Sequence, residues 1–158
     1  MVKKAIKIVV LILALAFIAI QFVRPDRTNP PEDQAQTIEA SMTIPEDVRM
    51  ILGRSCADCH SNRTIYPWYS NVSPFSWFLA DHIRDGRREL NISEWNTYEK
   101  RKKIRKLDEI CQQVEDGEMP LPSYLWIHWD AKMKPGEAQT LCNWANGERD
   151  RLENLPPQ

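Results

Sequence analysis

Cys56-Ala57-Asp58-Cys59-His60 is a Cys-x-x-Cys-His string, the attachment pattern of c-type haem. Two thiols three positions apart can each add to one of the porphyrin's two vinyl groups. The adjacent imidazole then lies over the ring and ligates the iron. Two other readings compete with this one. A bare Cys-x-x-Cys can be a redox dithiol or half of a zinc site. A thioredoxin-like dithiol would follow a strand, and nothing before Ile51 alternates as a strand does. A zinc site needs a second ligand pair, whereas Cys111 and Cys142 stand apart from each other and from any neighbouring His. Covalent haem is the favoured reading, with Cys56 and Cys59 as thioether donors and His60 as an axial iron ligand.

Working outward from this motif, apolar residues recur at helical spacing. Pro45, Glu46 and Asp47 form a helix start, with acids against the positive end of the macrodipole. Val48, Ile51, Leu52 and Ser55 then share one face. Ser73-Pro74 repeats the start signal, and Phe75, Phe78, Leu79, His82 and Ile83 make the next stripe, which the pattern ends near Gly86. A third helix is expected to begin after Ser93, its N-cap, and run to Gly117, burying Ile104, Leu107, Ile110, Cys111 and Val114, with Lys100 to Lys103, Arg105 and Lys106 on an opposite, solvated basic face. The last begins at Pro135 and uses Ala138, Leu141, Cys142 and Ala145. No apolar and polar alternation marks a strand, so the pattern predicts an all-α fold. Cys111 and Cys142 fall on the buried stripes of two helices, and in an oxidising compartment they are expected to pair.

The N-terminus is different. Thirteen consecutive apolar residues run from Ile8 to Ile20. The looser stretch Ala5 to Val23, broken only by Lys7 and Gln21, would extend ~28 Å as a helix, close to the hydrocarbon thickness. The one Ala-x-Ala string, Ala14 to Ala16, lies inside the run and not after it, so a retained membrane anchor over residues 1–24 is favoured over a cleaved signal. Residues 25–43 are polar, proline-rich and aperiodic, which reads as a tether. The haem-binding domain follows over 44–152, with a tail at 153–158. Four of the 21 basic residues precede Pro25, leaving 17 against 22 acidic ones in the remainder. That balance argues against a nucleic-acid partner.

Ser55 to Thr64, Tyr66-Pro67-Trp68-Tyr69, Trp77, His82, Gly86-Arg87, Leu90 to Trp95, Gly117 to Leu121, Tyr124, His128 and Trp144 together resemble the bacterial haem-binding domain family of small monohaem proteins. The resemblance runs from about Pro45 to Asn146. It implies a periplasmic, membrane-tethered domain similar to c-type cytochromes, and it lends no enzymatic activity to the chain.

The sixth iron ligand has three candidates: Met119, His82 and His128. Met119 follows the helix-ending Gly117 and lies between Glu118 and Pro120-Leu121-Pro122, a stiffened loop able to hold a thioether over the metal. Resemblance to c-type cytochromes, where Met-Pro in a late loop is a recurrent distal ligand, favours it. His82 on an apolar helix face reads more simply as a core histidine. Arg63, Arg84 and Arg87 are candidate partners for haem propionates. The chain is accordingly expected to be an extracytoplasmic electron carrier with a redox partner protein. The alternative is a peroxidase-like or gas-sensing haem with an open distal site. Asn62, Asn71 and Asn91 head Asn-x-Ser/Thr strings, read here as caps and turns.

Overall fold

Helix formation at the haem motif depends on the apolar face upstream of it. In the computed structural model, which describes residues 2–156, α2 (Glu46–Ser55) buries Val48, Ile51, Leu52 and Ser55. These are the i, i+3, i+4 and i+7 positions of one stripe. Cys56 ends that helix, donating its N–H to Leu52 O at 3.0 Å, and begins the single turn α3 (Ala57–His60). The elements around this pair are α1 (Val2–Ile20), α4 (Phe75–Glu89), α5 (Lys100–Glu115), the short α6 (Pro122–Leu125) and α7 (Glu137–Glu153), linked by 3-10 turns. Among the described residues there is no strand, as the all-α expectation requires.

The core has two parts. The larger joins α2, α5 and α7 through Ile51, Leu52, Leu107, Val114, Leu141 and Ala145, with Trp95 wholly enclosed. The smaller is Tyr69, Leu79 and Ile83. Cys56 and Ala57 pack on the first and Cys59 on the second, so the haem motif lies in the seam between them. Cys111 and Cys142 form the expected disulfide between α5 and α7, with Cα atoms 4.6 Å apart.

Several boundaries depart from the sequence pattern. Helix α4 does not stop at Gly86 but continues to Glu89, and its buried stripe is Ser76, Leu79 and Ile83, leaving Phe75 and Phe78 exposed. Ser93 is not the cap of α5. It is buried in a 3-10 segment, Ile92–Thr97, whose helical course breaks at Glu94 (φ −120°), and α5 starts only at Lys100. Lys106, assigned by pattern to a solvated basic face, is buried against Glu109 and Glu89.

The polar stretch 25–43 does not behave as a free tether. Arg27 donates to Ser70 O at 3.1 Å, and Asn29 donates to Thr64 O at 3.0 Å. Glu32 pairs with Arg63 at 3.1 Å, and Ile38 and Met42 enter the larger core. Two buried apolar side chains and a ladder of long-range hydrogen bonds hold it along the domain. A membrane-crossing helix is likewise not found: among the described residues none is long and apolar enough. Lys3, Lys4 and Lys7 fall within α1, so the uninterrupted apolar run is ~20 Å of helix against a hydrocarbon core of about 30 Å.

Candidate functional site

One helical turn sets the relative positions of Cys56, Cys59 and His60. His60 N–H bonds to Cys56 O at 3.0 Å and Cys59 N–H to the same carbonyl at 3.2 Å, so the i, i+3 and i+4 side chains share a face. Both cysteines are free thiols, each partly exposed. The imidazole is oriented from α4 and its C-terminal cap: His60 Nδ1 lies 3.0 Å from Gly86 O and 3.0 Å from Leu90 O. Both partners are carbonyls, which can only accept, so Nδ1 carries the ring proton and Nε2 keeps its lone pair. Orientation through the far nitrogen is how proteins hold a metal-ligating histidine.

The closeness of this contact requires Gly86. A Cβ at that position would stand 2.7 Å from Cys59 O and 3.1 Å from Cys59 Cβ. A glycine inside a helix costs about 1 kcal/mol relative to alanine; here it lets α4 approach the motif closely enough for its carbonyl to reach His60.

Three adjoining cavities surround the motif. One of about 170 Å³ is lined by Cys56, Cys59, His60, His82, Met119 and Tyr124 among others. A second, about 390 Å³, continues past Cys59 between Phe78, Leu79, Leu121 and Trp126. A third, about 340 Å³, lies between His60, Met119, Lys106 and the core residues Leu52, Val114 and Leu141. Met119 thus lines both cavities onto which His60 opens. It is held there by the end of α5: Gly117 (φ 71°) donates to Val114 O at 3.3 Å, while Glu118 and Met119 both donate to Gln113 O at 3.0 Å. This is a Schellman ending, which Gly117 permits because a left-handed residue is needed there.

The histidine candidates are placed differently. His82 lines two of the cavities, but its Nδ1 donates to Phe78 O at 2.7 Å and its ring lies 4.1 Å from that of Phe78. His128 touches none of the three; with Asp58, Cys59 and Tyr124 it lines a fourth, of only about 10 Å³. It stacks on Tyr124 with ring centroids 4.0 Å apart, its Nε2 lies 3.4 Å from Tyr69 Oη, and its buried Nδ1 has no partner. The arginines proposed for propionates are engaged elsewhere. Arg87 donates to Ser61 O, Thr64 Oγ1 and Asn29 Oδ1; Arg84 pairs with Asp81 at 2.7 Å; Arg63 pairs with Glu32 and Glu39. The buried cation beside the cavities is Lys106, which the basic-run pattern of α5 conceals.

The local chemistry separates the competing readings of the motif. Burial, reinforced by Cys59, pushes the Cys56 thiol up to about 12; burial and then the Asp58 carboxylate push Cys59 to about 11. A redox dithiol needs the opposite, a depressed thiol. Burial also pushes His60 below the ordinary imidazole value, so the ring is neutral and its lone pair available. Cys111 and Cys142 are spent in a disulfide, which removes them as a second zinc pair. Paired thiols, an imidazole bare at Nε2 and an apolar cleft fit a haem.

No curated protein and no solved structure matches the chain. A model of the haem-binding domain matches residues 15–147. That span takes in the Cys56–His60 turn, the Gly86 contact, the Met119 ending and both cysteines of the disulfide, and it makes this chain a member of the haem-binding domain family.

Proposed function

We propose that the protein is an extracytoplasmic electron-transfer protein carrying one c-type haem. Cys56 and Cys59 would hold the group covalently, and His60 Nε2 and Met119 would be the side chains that ligate its iron. When bound, haem supplies one-electron Fe(III)/Fe(II) chemistry. The chain contributes attachment, orientation through Gly86 and Leu90, and apolar walls that exclude water. The observation that carries this reading is that His60, held through Nδ1 by two carbonyls, and Met119 line the same two cavities. The apolar run of α1 serves as the export segment that directs the domain out of the cytoplasm, entering the bilayer with Lys3, Lys4 and Lys7 at the headgroups. A redox partner protein supplies and accepts electrons.

The test is spectroscopic. Protein made in a host that matures c-type cytochromes should keep its colour through acid and organic extraction. Its ferric form should show the sulfur-to-iron charge-transfer band and resist cyanide. Met119→Ala should lose the band and bind cyanide rapidly, at a lowered reduction potential, because a soft neutral thioether favours ferrous iron. Colour that passes into the organic phase overturns covalent attachment. Fast cyanide binding by the unaltered protein moves the open-site alternative, a peroxidase-like or gas-sensing haem, ahead.

A further inference from the structure

Asp58 lies between the two cysteines of the motif, and each of its three oxygens accepts a hydrogen bond. Its Oδ1 accepts the Ile65 N–H at 3.0 Å, its backbone carbonyl accepts Thr64 Oγ1 at 2.6 Å, and its Oδ2 accepts the Tyr124 hydroxyl at 2.9 Å. Tyr124 belongs to the segment that carries Met119. It follows Met119 by five residues, two of them proline, so little slack separates the two side chains. Tyr124 is itself fixed on three sides. Its N–H donates to Leu121 O at 2.9 Å, its carbonyl accepts the His128 N–H at 3.1 Å, and its ring stacks on the His128 ring at 17°. Among the described residues, Tyr124–Asp58 is the one hydrogen bond that joins the attachment turn 56–60 to residues 117–128. Burial and the Asp58 charge hold the phenol far above its ordinary value, so it remains a donor at any physiological pH. A hydrogen bond to a charged acceptor is among the stronger kinds available.

We infer that Tyr124 is a positioning residue: its hydrogen bond to Asp58 latches the Met119 segment across the haem cleft and governs how tightly Met119 holds the iron. This rests on the proposed haem ligation, and it adds that the attachment motif clamps its own distal ligand through the residue between the cysteines. The latch sets whether the domain behaves as a closed electron carrier or admits external ligands.

Tyr124→Phe in the full-length holoprotein removes the hydroxyl and keeps the stack on His128. Covalent haem should be retained. Amide hydrogen exchange over residues 119–128 should accelerate, and cyanide binding to the ferric protein should speed up about tenfold or more, the factor that loss of a charge-assisted hydrogen bond corresponds to. The same substitution in an Asp58→Ala background should add nothing further, because the partner is already gone. Unchanged amide exchange in Tyr124→Phe overturns the latch. Faster exchange with unaltered cyanide kinetics, while Met119→Ala does accelerate cyanide binding, also overturns it and leaves the ligation reading standing. Faster exchange in Tyr124→Phe with no effect of Met119→Ala on cyanide overturns Met119 as the ligand, and with it the control of iron ligation by the Tyr124–Asp58 contact.

Discussion

His60 could be read from the motif, but its orientation could not. Two backbone carbonyls of α4 and its cap set the ring, and they reach it only because residue 86 has no side chain. Gly86→Ala is therefore expected to destabilise the protein although it improves helix propensity: overpacking against Cys59 O costs about 1 to 3 kcal/mol, against about 1 kcal/mol gained. Thermal denaturation should show a lower Tm, with altered axial-ligand absorption in the holoprotein; a raised Tm would show that α4 yields freely. The loop that carries Met119 was legible because a helix-ending glycine and two prolines mark it. Lys106 was not. Periodicity placed it among solvated lysines, whereas the packing of α5 turns it inward against Glu109 and Glu89. The Tyr124–Asp58 contact was equally invisible, since a hydrogen bond spanning 66 residues leaves no local pattern.

At the level of elements, helical stripes predict contacts well where both faces are apolar. Cys111 and Cys142 sat on two such stripes, and α5 and α7 bring them together with a sequence separation of 31. Closing a loop of that length stabilises the fold by about 3 to 4 kcal/mol in the chain-entropy model. Denaturant titrations with and without reductant should differ by that amount, and thiol labelling of the unreduced, unfolded protein should find neither of these two cysteines. A second tie holds the start of α7. Glu137 accepts from Arg54 on α2 through both carboxylate oxygens and from the Lys134 N–H at 2.7 Å. The Arg54 hydrogen bonds hold its carboxyl below the usual carboxylate range. A depressed carboxylate contributes stability that is present above its unfolded value and lost as pH falls through the folded one. Glu137→Gln should therefore lower stability at pH 7 by about 1 to 3 kcal/mol. It should leave a smaller loss than the unaltered protein suffers between pH 5 and 3, and chemical denaturation across that window checks the convergence. Element starts were less legible. Ser93 has the chemistry of a cap, but Asn62 N–H and Glu32 engage its hydroxyl, and the helix begins seven residues later.

For the whole molecule, the position of the haem motif in the seam of two apolar clusters explains the surrounding space: neither cluster alone covers the cleft, and a flat apolar macrocycle would complete both. The N-terminal segment joins the same body. Gln21 exchanges two hydrogen bonds with the Ser73 backbone, at 3.0 and 2.9 Å, and the Trp77 indole donates to Val23 O at 2.7 Å. If α1 is retained, the full-length protein should sediment with membranes, resist a salt wash and dissolve in detergent. Recovery as a soluble species whose first residue lies beyond Ile20 would identify α1 as a cleaved leader. The sequence by itself determined the helical class, the Cys56–His60 motif of a haem-binding domain, the disulfide partners and the apolar N-terminal run, because each rests on local spacing or on the periodicity of a single helix. Only the tertiary structure decided the rest. It drew residues 25–43 onto the domain, carried α4 past Gly86, turned Lys106 inward and Arg87 away from the cleft, and closed Tyr124 on Asp58. Each of these depends on which surfaces meet in three dimensions, where close approach and the need to satisfy buried polar groups override local preference.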